Sequence, residues 1–266
     1  MRRAPGCLSL LAWILITTAT SAAASPSPFP DSAASNPPAL QPSQPSTPHH
    51  HFERWVDVAT LGVVTAAVFN DRWLTQETTE ASSAGEHRLS RAFEPAGNMG
   101  VVAPAILLAY GAARLTGHPG FAEATRRVGI SVAITGLATL AIKEAAGRAR
   151  PLEAPDDPHR FQPFSGHASF PSGHTAVAFA TATALARETH SRWVPLVLYP
   201  AAAVVGWSRV HDREHWTSDV VAGAALGAWT ADRVERYLQE RDGSHRLSLQ
   251  VLPERRGLTA ALGIRF

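Results

Sequence analysis

Residues 171–186 read PSGHTAVAFATATALA and predict the beginning of a helix. Ser172 is a good N-cap, because its side chain can accept a hydrogen bond from a free N–H group of the first helical turn. The residues that follow are apolar and rich in Ala, which favours helix, and they do not alternate with polar residues as a strand would. The stretch therefore places a polar turn directly before an apolar helix.

Six apolar, Ala-rich segments of this kind lie between residues 52 and 240, and none shows strand-like alternation. They cover residues 58–70, 95–113, 128–142, 175–186, 193–208 and 220–231. We expect one all-α domain, a six-helix bundle over residues 52–240. A membrane span needs about 20 mostly apolar residues, and shorter runs are more typical of core helices. The second and fifth segments alone approach that length.

The N-terminal part of the chain differs from this helical domain. Residues 1–24 are typical of a secretory signal, with a charged start, a short apolar core and an Ala-rich cleavage site, although an uncleaved anchor helix is the alternative. Residues 25–51 are rich in Pro, Ser and Ala and predict a disordered linker. We therefore expect export to the periplasm or the cell envelope.

Residues 241–266 show a period of two and predict a short β-hairpin. Leu247, Leu249 and Val251 alternate with polar residues, and a second alternating run follows the turn-forming residues 253–257. Two strands cannot close a membrane barrel, which needs about eight. We expect a hairpin that packs on the domain or contacts the membrane surface.

The charge of the chain is nearly balanced, with 24 basic and 22 acidic residues and a formal net charge of +2. This balance excludes a polyelectrolyte that binds nucleic acid. Twenty-three of the basic residues are Arg, and the single Lys is Lys143. The single cysteine, Cys7, lies in the predicted signal, so the mature chain would contain no disulfide.

Residues 143–151 read KEAAGRARP and lie where the third apolar segment ends. Pro151 stops the helix, so the cations of this stretch are expected in its last turns. Cations at a helix C-terminus interact favourably with the helix dipole, and this structural role is the preferred interpretation of Arg148. Lys143 and Arg150 are also candidates for binding an anion.

The helix start at 171–174 has the features of an anion site. Gly173 lets the backbone approach a ligand closely, and free N–H groups at a helix N-terminus hold anions. His174 lies where it could donate a proton to a bound group. The tripeptide Ser-Gly-His recurs at 165–167, and we interpret His167 as a loop residue.

A third motif joins the last two apolar segments and reads Ser208-Arg209, five residues, His215, three residues, Asp219. His215 and Asp219 would share one face of a helix at this spacing. A carboxylate bonded to one imidazole nitrogen fixes the tautomer and raises the basicity of the other nitrogen, as in catalytic triads. A surface ion pair is the alternative. Arg209 could form two parallel hydrogen bonds to phosphate oxygens.

Together the three motifs supply three cations, a helix start and two histidines, which suffice for phosphoryl transfer without a metal or another cofactor. In this combination the chain resembles the type 2 phosphatidic acid phosphatase family, which shares a fold with vanadium haloperoxidases and class A bacterial acid phosphatases. The family pattern K-x6-RP, PSGH and SR-x5-H-x3-D is matched in order without a departure. The resemblance extends over residues 52–240.

The resemblance implies an all-α core and metal-independent hydrolysis of phosphate monoesters or pyrophosphates, often of lipids. By the same resemblance His215 is the nucleophile that forms a phosphohistidine, and Asp219 orients it. His174 protonates the leaving alcohol and then activates water. The groups implied to bind the phosphate oxygens are Lys143, Arg150, Arg209, the Ser172 side chain and the Gly173 N–H.

Three alternatives remain open. A vanadium haloperoxidase would use the same anion pocket for vanadate, with His215 as the vanadium ligand, but those enzymes are usually much larger. A phosphotransferase would pass the phosphoryl group to an alcohol instead of water. A non-catalytic envelope protein would have no need of intact His174, His215 and Asp219. We expect membrane association, and the candidate substrates are phosphatidate, undecaprenyl pyrophosphate, a lipid A phosphate and small soluble monoesters.

Overall fold

The structure, a computed structural model, describes residues 49–79, 83–189, 191, 193–244, 247–254 and 257–264. The predicted signal and the predicted linker before His49 lie outside these residues. The helices are α1 (His49–Thr79), α2 (Ala84–Phe93), α3 (Met99–Leu115), α4 (Pro119–Ala146), α5 (Gly173–Thr189), α6 (Trp193–His211) and α7 (Thr217–Ser244), with a 3-10 turn (Glu94–Gly97) between α2 and α3.

The prediction of a mostly helical domain is confirmed, because the six apolar segments fall on six of these helices, the second of them beginning in the 3-10 turn before α3. The described residues contain seven helices and not six. The additional helix is α2, which carries charged side chains and contains no long uncharged run. Its start carries a capping box, in which Ser83 accepts from the Glu86 N–H and the Glu86 carboxylate accepts from the Ser83 N–H. Polar capping signals therefore mark α2 where hydrophobicity does not.

Helix α5 lies at the centre of the domain, where it packs against α4, α6 and α7. Its covered surface is made largely of small side chains, and Ala176, Ala180 and Ala184 are fully buried. Small side chains let helix axes approach closely, while larger residues such as Phe179 and Val205 fill the remaining core. The Ala-rich run is therefore the centre of the hydrophobic core.

Two glycines of α7 bring the start of α5 into direct backbone contact with α7. A Cβ atom at Gly227 would lie 2.2 Å from the carbonyl oxygen of Ala176, and one at Gly223 would lie 2.5 Å from that of Ser172. The Ser172 N–H donates a hydrogen bond to the carbonyl oxygen of Asp219, 2.9 Å away. This contact fixes the polar start of α5 against the first turn of α7.

Two of the described helices, α4 and α6, are long and apolar enough to cross a membrane, and a third span results if the pair of α2 and α3, bent by 53°, is taken as one. The sequence pointed to the segments of α3 and α6 and underestimated α4, whose apolar character extends beyond its uncharged run. Large apolar side chains are exposed on α3, α4 and α6: Leu107, Leu108, Leu115, Leu137, Leu140, Leu196 and Val197. These surfaces support association with a membrane.

The predicted hairpin falls on two antiparallel strands, β1 (Leu247–Glu254) and β2 (Gly257–Ile264), which pair with each other. The register places Val251 opposite Ala260. Packing of this pair on the helical domain or on a membrane stays a prediction.

We expect Gly227→Ala to destabilise the domain, because the added methyl group would collide with the backbone of α5 at Ala176. Overpacking of this kind costs about 1–3 kcal/mol of unfolding free energy. Chemical denaturation followed by circular dichroism measures the loss. Gly62→Ala in α1 is the matched control, since a Cβ there meets no atom within 4 Å and Ala favours helix. Equal stability of Gly227→Ala and the wild type would contradict the close contact.

Candidate active site

The loop after α4 begins with a left-handed residue that turns the chain back into the domain. Gly147 has a φ of 53°, and its N–H donates to the carbonyl oxygen of Lys143, 2.8 Å away. A Cβ at Gly147 would lie 1.7 Å from the carbonyl oxygen of Gln162, so this turn requires Gly. The next residue, Arg148, is completely buried. The arginines of this motif therefore lie beyond the helix and not in its last turns.

The loop between α6 and α7 holds His215 by its backbone. The N–H groups of Glu214 and His215 both donate to the carbonyl oxygen of Arg209, at 3.0 and 3.2 Å. Helix α7 begins after His215, and Asp219 in its first turn accepts the N–H of Trp216 at 2.9 Å. His215 and Asp219 therefore meet through a helix cap and not on a shared helical face.

His215 and Asp219 form a buried pair, with His215 Nδ1 3.5 Å from Asp219 Oδ2. Burial lowers the pKa of His215, while the hydrogen bond and charge of Asp219 oppose this shift. Burial acts to raise the pKa of Asp219, but the His215 hydrogen bond and the charge of Arg148 outweigh it and leave that pKa below its ordinary value. At neutral pH the site therefore pairs an ionised carboxylate with a neutral imidazole.

His174, the second residue of α5, lies in the same electrostatic environment. Burial lowers the pKa of His174 to about 4, and the charges of Arg209, His215, Lys143 and Arg150 add to this shift. Its Nε2 atom is buried and has no hydrogen-bond partner in the described part of the chain. His174 is therefore neutral at pH 7 and keeps one polar atom available for a bound group.

The two predicted phosphate-binding arginines are oriented by carboxylates. Arg150 pairs with Glu214, and both side chains remain partly exposed. Arg209 donates to Asp212 at 2.8 Å and is largely buried. A guanidinium has five N–H donors, so neither ion pair occupies all of them. Both arginines retain donors for an anion.

Lys143 lies beside the start of α5. Its Nζ donates to the carbonyl oxygen of Ala168, and its Cε would lie 3.6 Å from a Cβ at Gly173. Ser172 is buried and accepts the Thr175 O–H at 2.9 Å, which leaves the Ser172 hydroxyl proton free to donate. The structure thus brings all eight predicted residues into one region: His174, His215, Asp219, Lys143, Arg150, Arg209, Ser172 and Gly173.

Arg148 has a different role from the one that the sequence suggested. Its guanidinium donates to Asp219 Oδ1 at 2.6 Å, to Ser218 Oγ at 2.7 Å and, on its other edge, to Asp71 Oδ2 at 2.7 Å. It also lies 5.0 Å from the centroid of the Phe161 ring. The interpretation of Arg148 as a cation for the helix dipole is therefore wrong. Its place between two motif residues was the one signal in the sequence that could have indicated this role.

A separate group of side chains, His87, His211 and Asp212, could hold a metal ion, since one donor atom of each lies within 4.8 Å of the others. Asp212 Oδ2 already accepts hydrogen bonds from Ser90 at 2.6 Å and from Arg209 at 2.8 Å. A cavity of about 460 Å³ borders the group and is lined by Ala84, His87, Arg88, Arg91 and Asp212. The two arginines in this lining disfavour the binding of a cation. We assign this group no catalytic role.

Residues 124–241 match the family described as the PAP2 superfamily, and this range includes all eight residues of the site. We call this matched stretch, residues 124–241, the PAP2 segment. The PAP2 segment begins within α4 and ends within α7, so α1, α2 and α3 lie outside it.

Relatives of the PAP2 segment include two proteins whose names describe phosphatases. Lipid A 1-phosphatase of Rhizobium johnstonii is 42% identical over 106 residues, which cover 37% of this chain and 41% of that protein. Lipid phosphate phosphatase 1 of Arabidopsis thaliana is 37% identical over 131 residues, covering 38% of this chain and 40% of that protein. The chain therefore spans about two fifths of the length of each.

A solved structure supports the fold of the PAP2 segment. The crystal structure of Aquifex aeolicus LpxE matches with a TM-score of 0.50 and 20% sequence identity. The match covers 62% of this chain and 93% of that one. At this identity the likeness shows the helical fold that carries the site.

We expect Lys143→Arg to weaken the binding of inorganic phosphate about tenfold, although the charge is kept. The ammonium group donates to the Ala168 carbonyl oxygen beside the helix start at Gly173, and a broad, planar guanidinium cannot reproduce the position of this compact charge. Isothermal titration calorimetry with phosphate measures the affinity. Arg114→Lys, on the exposed last turn of α3, is the matched control. Wild-type affinity in Lys143→Arg would mean that any cation serves at this position.

Proposed function

We propose that this chain is an exported phosphatase that hydrolyses phosphate monoesters or pyrophosphates of lipids through a phosphohistidine intermediate. The observation that carries the proposal is the buried pair of His215 and Asp219 beside His174, in the positive field of the motif cations. A neutral, oriented imidazole keeps its lone pair for attack on phosphorus while the cations hold the phosphate oxygens. This combination favours phosphoryl transfer over other chemistry at the site.

In the first half-reaction, His215 Nε2 attacks phosphorus, and the bond between phosphorus and the leaving oxygen breaks. The Asp219 carboxylate, whose Oδ2 lies 3.5 Å from His215 Nδ1, stabilises the positive charge that develops on the imidazole. The leaving oxygen takes a proton from His174. The charge on the phosphoryl oxygens is neutralised by the side chains of Lys143, Arg150 and Arg209. The proposed hydrolysis is therefore independent of a metal ion.

His174 must carry a proton for this step, although burial and the surrounding cations lower its pKa to about 4 in the free protein. A bound phosphate dianion offsets those positive charges, so binding of the substrate raises the pKa of His174 toward its ordinary value. In the second half-reaction the neutral His174 accepts a proton from water. The water oxygen then attacks phosphorus, the phosphorus–nitrogen bond breaks, and His215 is released with inorganic phosphate.

Two observations support a lipid as the substrate. Lys143 lies in the last turn of α4 and Arg209 in the last turn of α6, the two helices that are long and apolar enough for a membrane. A site at the ends of such helices would lie near the membrane surface, where the phosphate group of a lipid is found. The two relatives carry names that describe phosphatases of lipids. The predicted signal at 1–24 would place this surface outside the cytoplasm.

We expect His215→Ala to abolish phosphate release while the protein stays folded, because the nucleophile is lost and no other group replaces it. The assay measures phosphate released from a lipid phosphate, a lipid pyrophosphate and a soluble monoester, with folding checked by circular dichroism. His167→Ala is the matched control, since His167 belongs to the second Ser-Gly-His tripeptide and contacts Glu153 at 3.0 Å. Turnover by His215→Ala at the wild-type rate would exclude the proposed mechanism.

A further inference from the structure

A buried ion cluster lies at the second oxygen of Asp219, which does not face His215. One edge of the Arg148 guanidinium donates to Asp219 Oδ1 at 2.6 Å, and the other edge donates to Asp71 Oδ2 at 2.7 Å. None of these three side chains has exposed surface. One guanidinium therefore serves two carboxylates, and the three groups together carry one negative charge.

The neighbours of Asp71 stabilise its ionised form. Its Oδ1 accepts the Ser218 N–H at 2.7 Å, and its Oδ2 accepts the Ser218 O–H at 2.5 Å in addition to Arg148. Burial raises the pKa of Asp71 above its ordinary value, and the charge of Arg148 and these hydrogen bonds oppose that shift. Both oxygens face donors, so a proton on either oxygen would have to displace one of them.

We propose that Asp71 sets the basicity of His215 by sharing the charge of Arg148 with Asp219. If Arg148 faced Asp219 alone, the two charges would cancel, and Asp219 would attract the Nδ1 proton of His215 less strongly. The second carboxylate offsets the guanidinium, so that negative charge remains on the side of Asp219 that faces His215. This positioning role deepens the proposed function and rests on it.

The other charged groups around the nucleophile make this balance necessary. Lys143 on α4 and Arg150 in the following loop both act on His215, and each lowers its pKa. His174 on α5 faces the same pair and is neutral in the free protein. Against these cations, Asp219 is the carboxylate that supports a proton on His215. If Arg148 neutralised Asp219, the carboxylate would therefore stabilise a proton on His215 less strongly.

Asp71 lies on α1, outside the PAP2 segment at 124–241. Helix α1 is joined to the start of α7 by a second contact, in which the Thr217 N–H donates to Thr75 Oγ1 at 3.3 Å. Helix α1 therefore lies where Thr75 can position the first turn of α7 and Asp71 can influence the electrostatic environment of Asp219. On this inference, the functional unit extends beyond the family segment to α1.

The test compares Asp71→Asn with the double variant Asp71→Asn/Arg148→Met in the full chain. Asn keeps an acceptor for the Ser218 N–H and removes the charge, so the guanidinium then faces Asp219 alone. The double variant also removes the guanidinium, so that no neighbouring cation from Arg148 offsets the negative charge of Asp219 beside His215. Two measurements are made for each variant: the pH profile of kcat/KM, and the titration of the His215 imidazole by NMR, assigned with His215→Ala.

We expect the midpoint of the His215 titration to lie about one pH unit lower in Asp71→Asn than in the wild type. In the double variant we expect this midpoint to lie above that of the wild type. The acid limb of kcat/KM should move in the same order, since the nucleophile must be unprotonated. In Asp71→Asn, kcat should fall about tenfold with little change in KM. Asp156→Asn, which removes an exposed carboxylate, is the matched control and should change neither quantity.

A purely structural role for Asp71 would reduce activity without this order of titrations, and an unchanged His215 titration in both variants would overturn the proposal. If Asp71→Asn does not fold, the double variant still decides, because its titration must lie above that of the wild type. The NMR titration does not depend on turnover. A failure to release phosphate would therefore contradict the proposed function separately from this inference.

Discussion

The buried guanidinium of Arg148 is the interaction on which the arrangement of the site depends. It connects α1 through Asp71, the loop after α4 through the Pro158 carbonyl oxygen at 3.0 Å, and α7 through Asp219. Removing one partner of a buried ion pair costs about 3–5 kcal/mol, because the remaining charge has no compensation. These contacts therefore stabilise one another, and together they help to hold Asp219 beside His215.

The first turn of α7 contacts both halves of the site. On one side the Asp219 carboxylate lies beside His215, and on the other the Asp219 carbonyl oxygen accepts the Ser172 N–H at the start of α5. The absence of side chains at Gly223 and Gly227 permits this approach. A rigid backbone contact therefore sets the distance between the imidazole that we propose as the nucleophile and the N–H groups and cations that we propose to hold the phosphate oxygens.

The grouping of the eight candidate residues could be expected because each belongs to a motif whose spacing is local, such as the three residues between His215 and Asp219. The pairing of Arg148 with Asp71 could not, since 77 residues separate them and charge alone does not identify a partner. The helix count differed for a related reason. Uncharged runs reveal helices that are buried or face lipid, whereas α2 is stabilised by its capping box and carries charged side chains.

The proposed function requires that His215 form a covalent bond to phosphorus during turnover. The most direct measurement is to quench the reaction of a lipid phosphate labelled with ³²P under alkaline conditions, which preserve phosphohistidine, and to locate the label by peptide mapping. We expect label on the peptide that contains His215, stable to alkali, labile to acid and absent from His215→Ala. Label on another residue, or steady phosphate release with no labelled peptide, would contradict a phosphohistidine at His215.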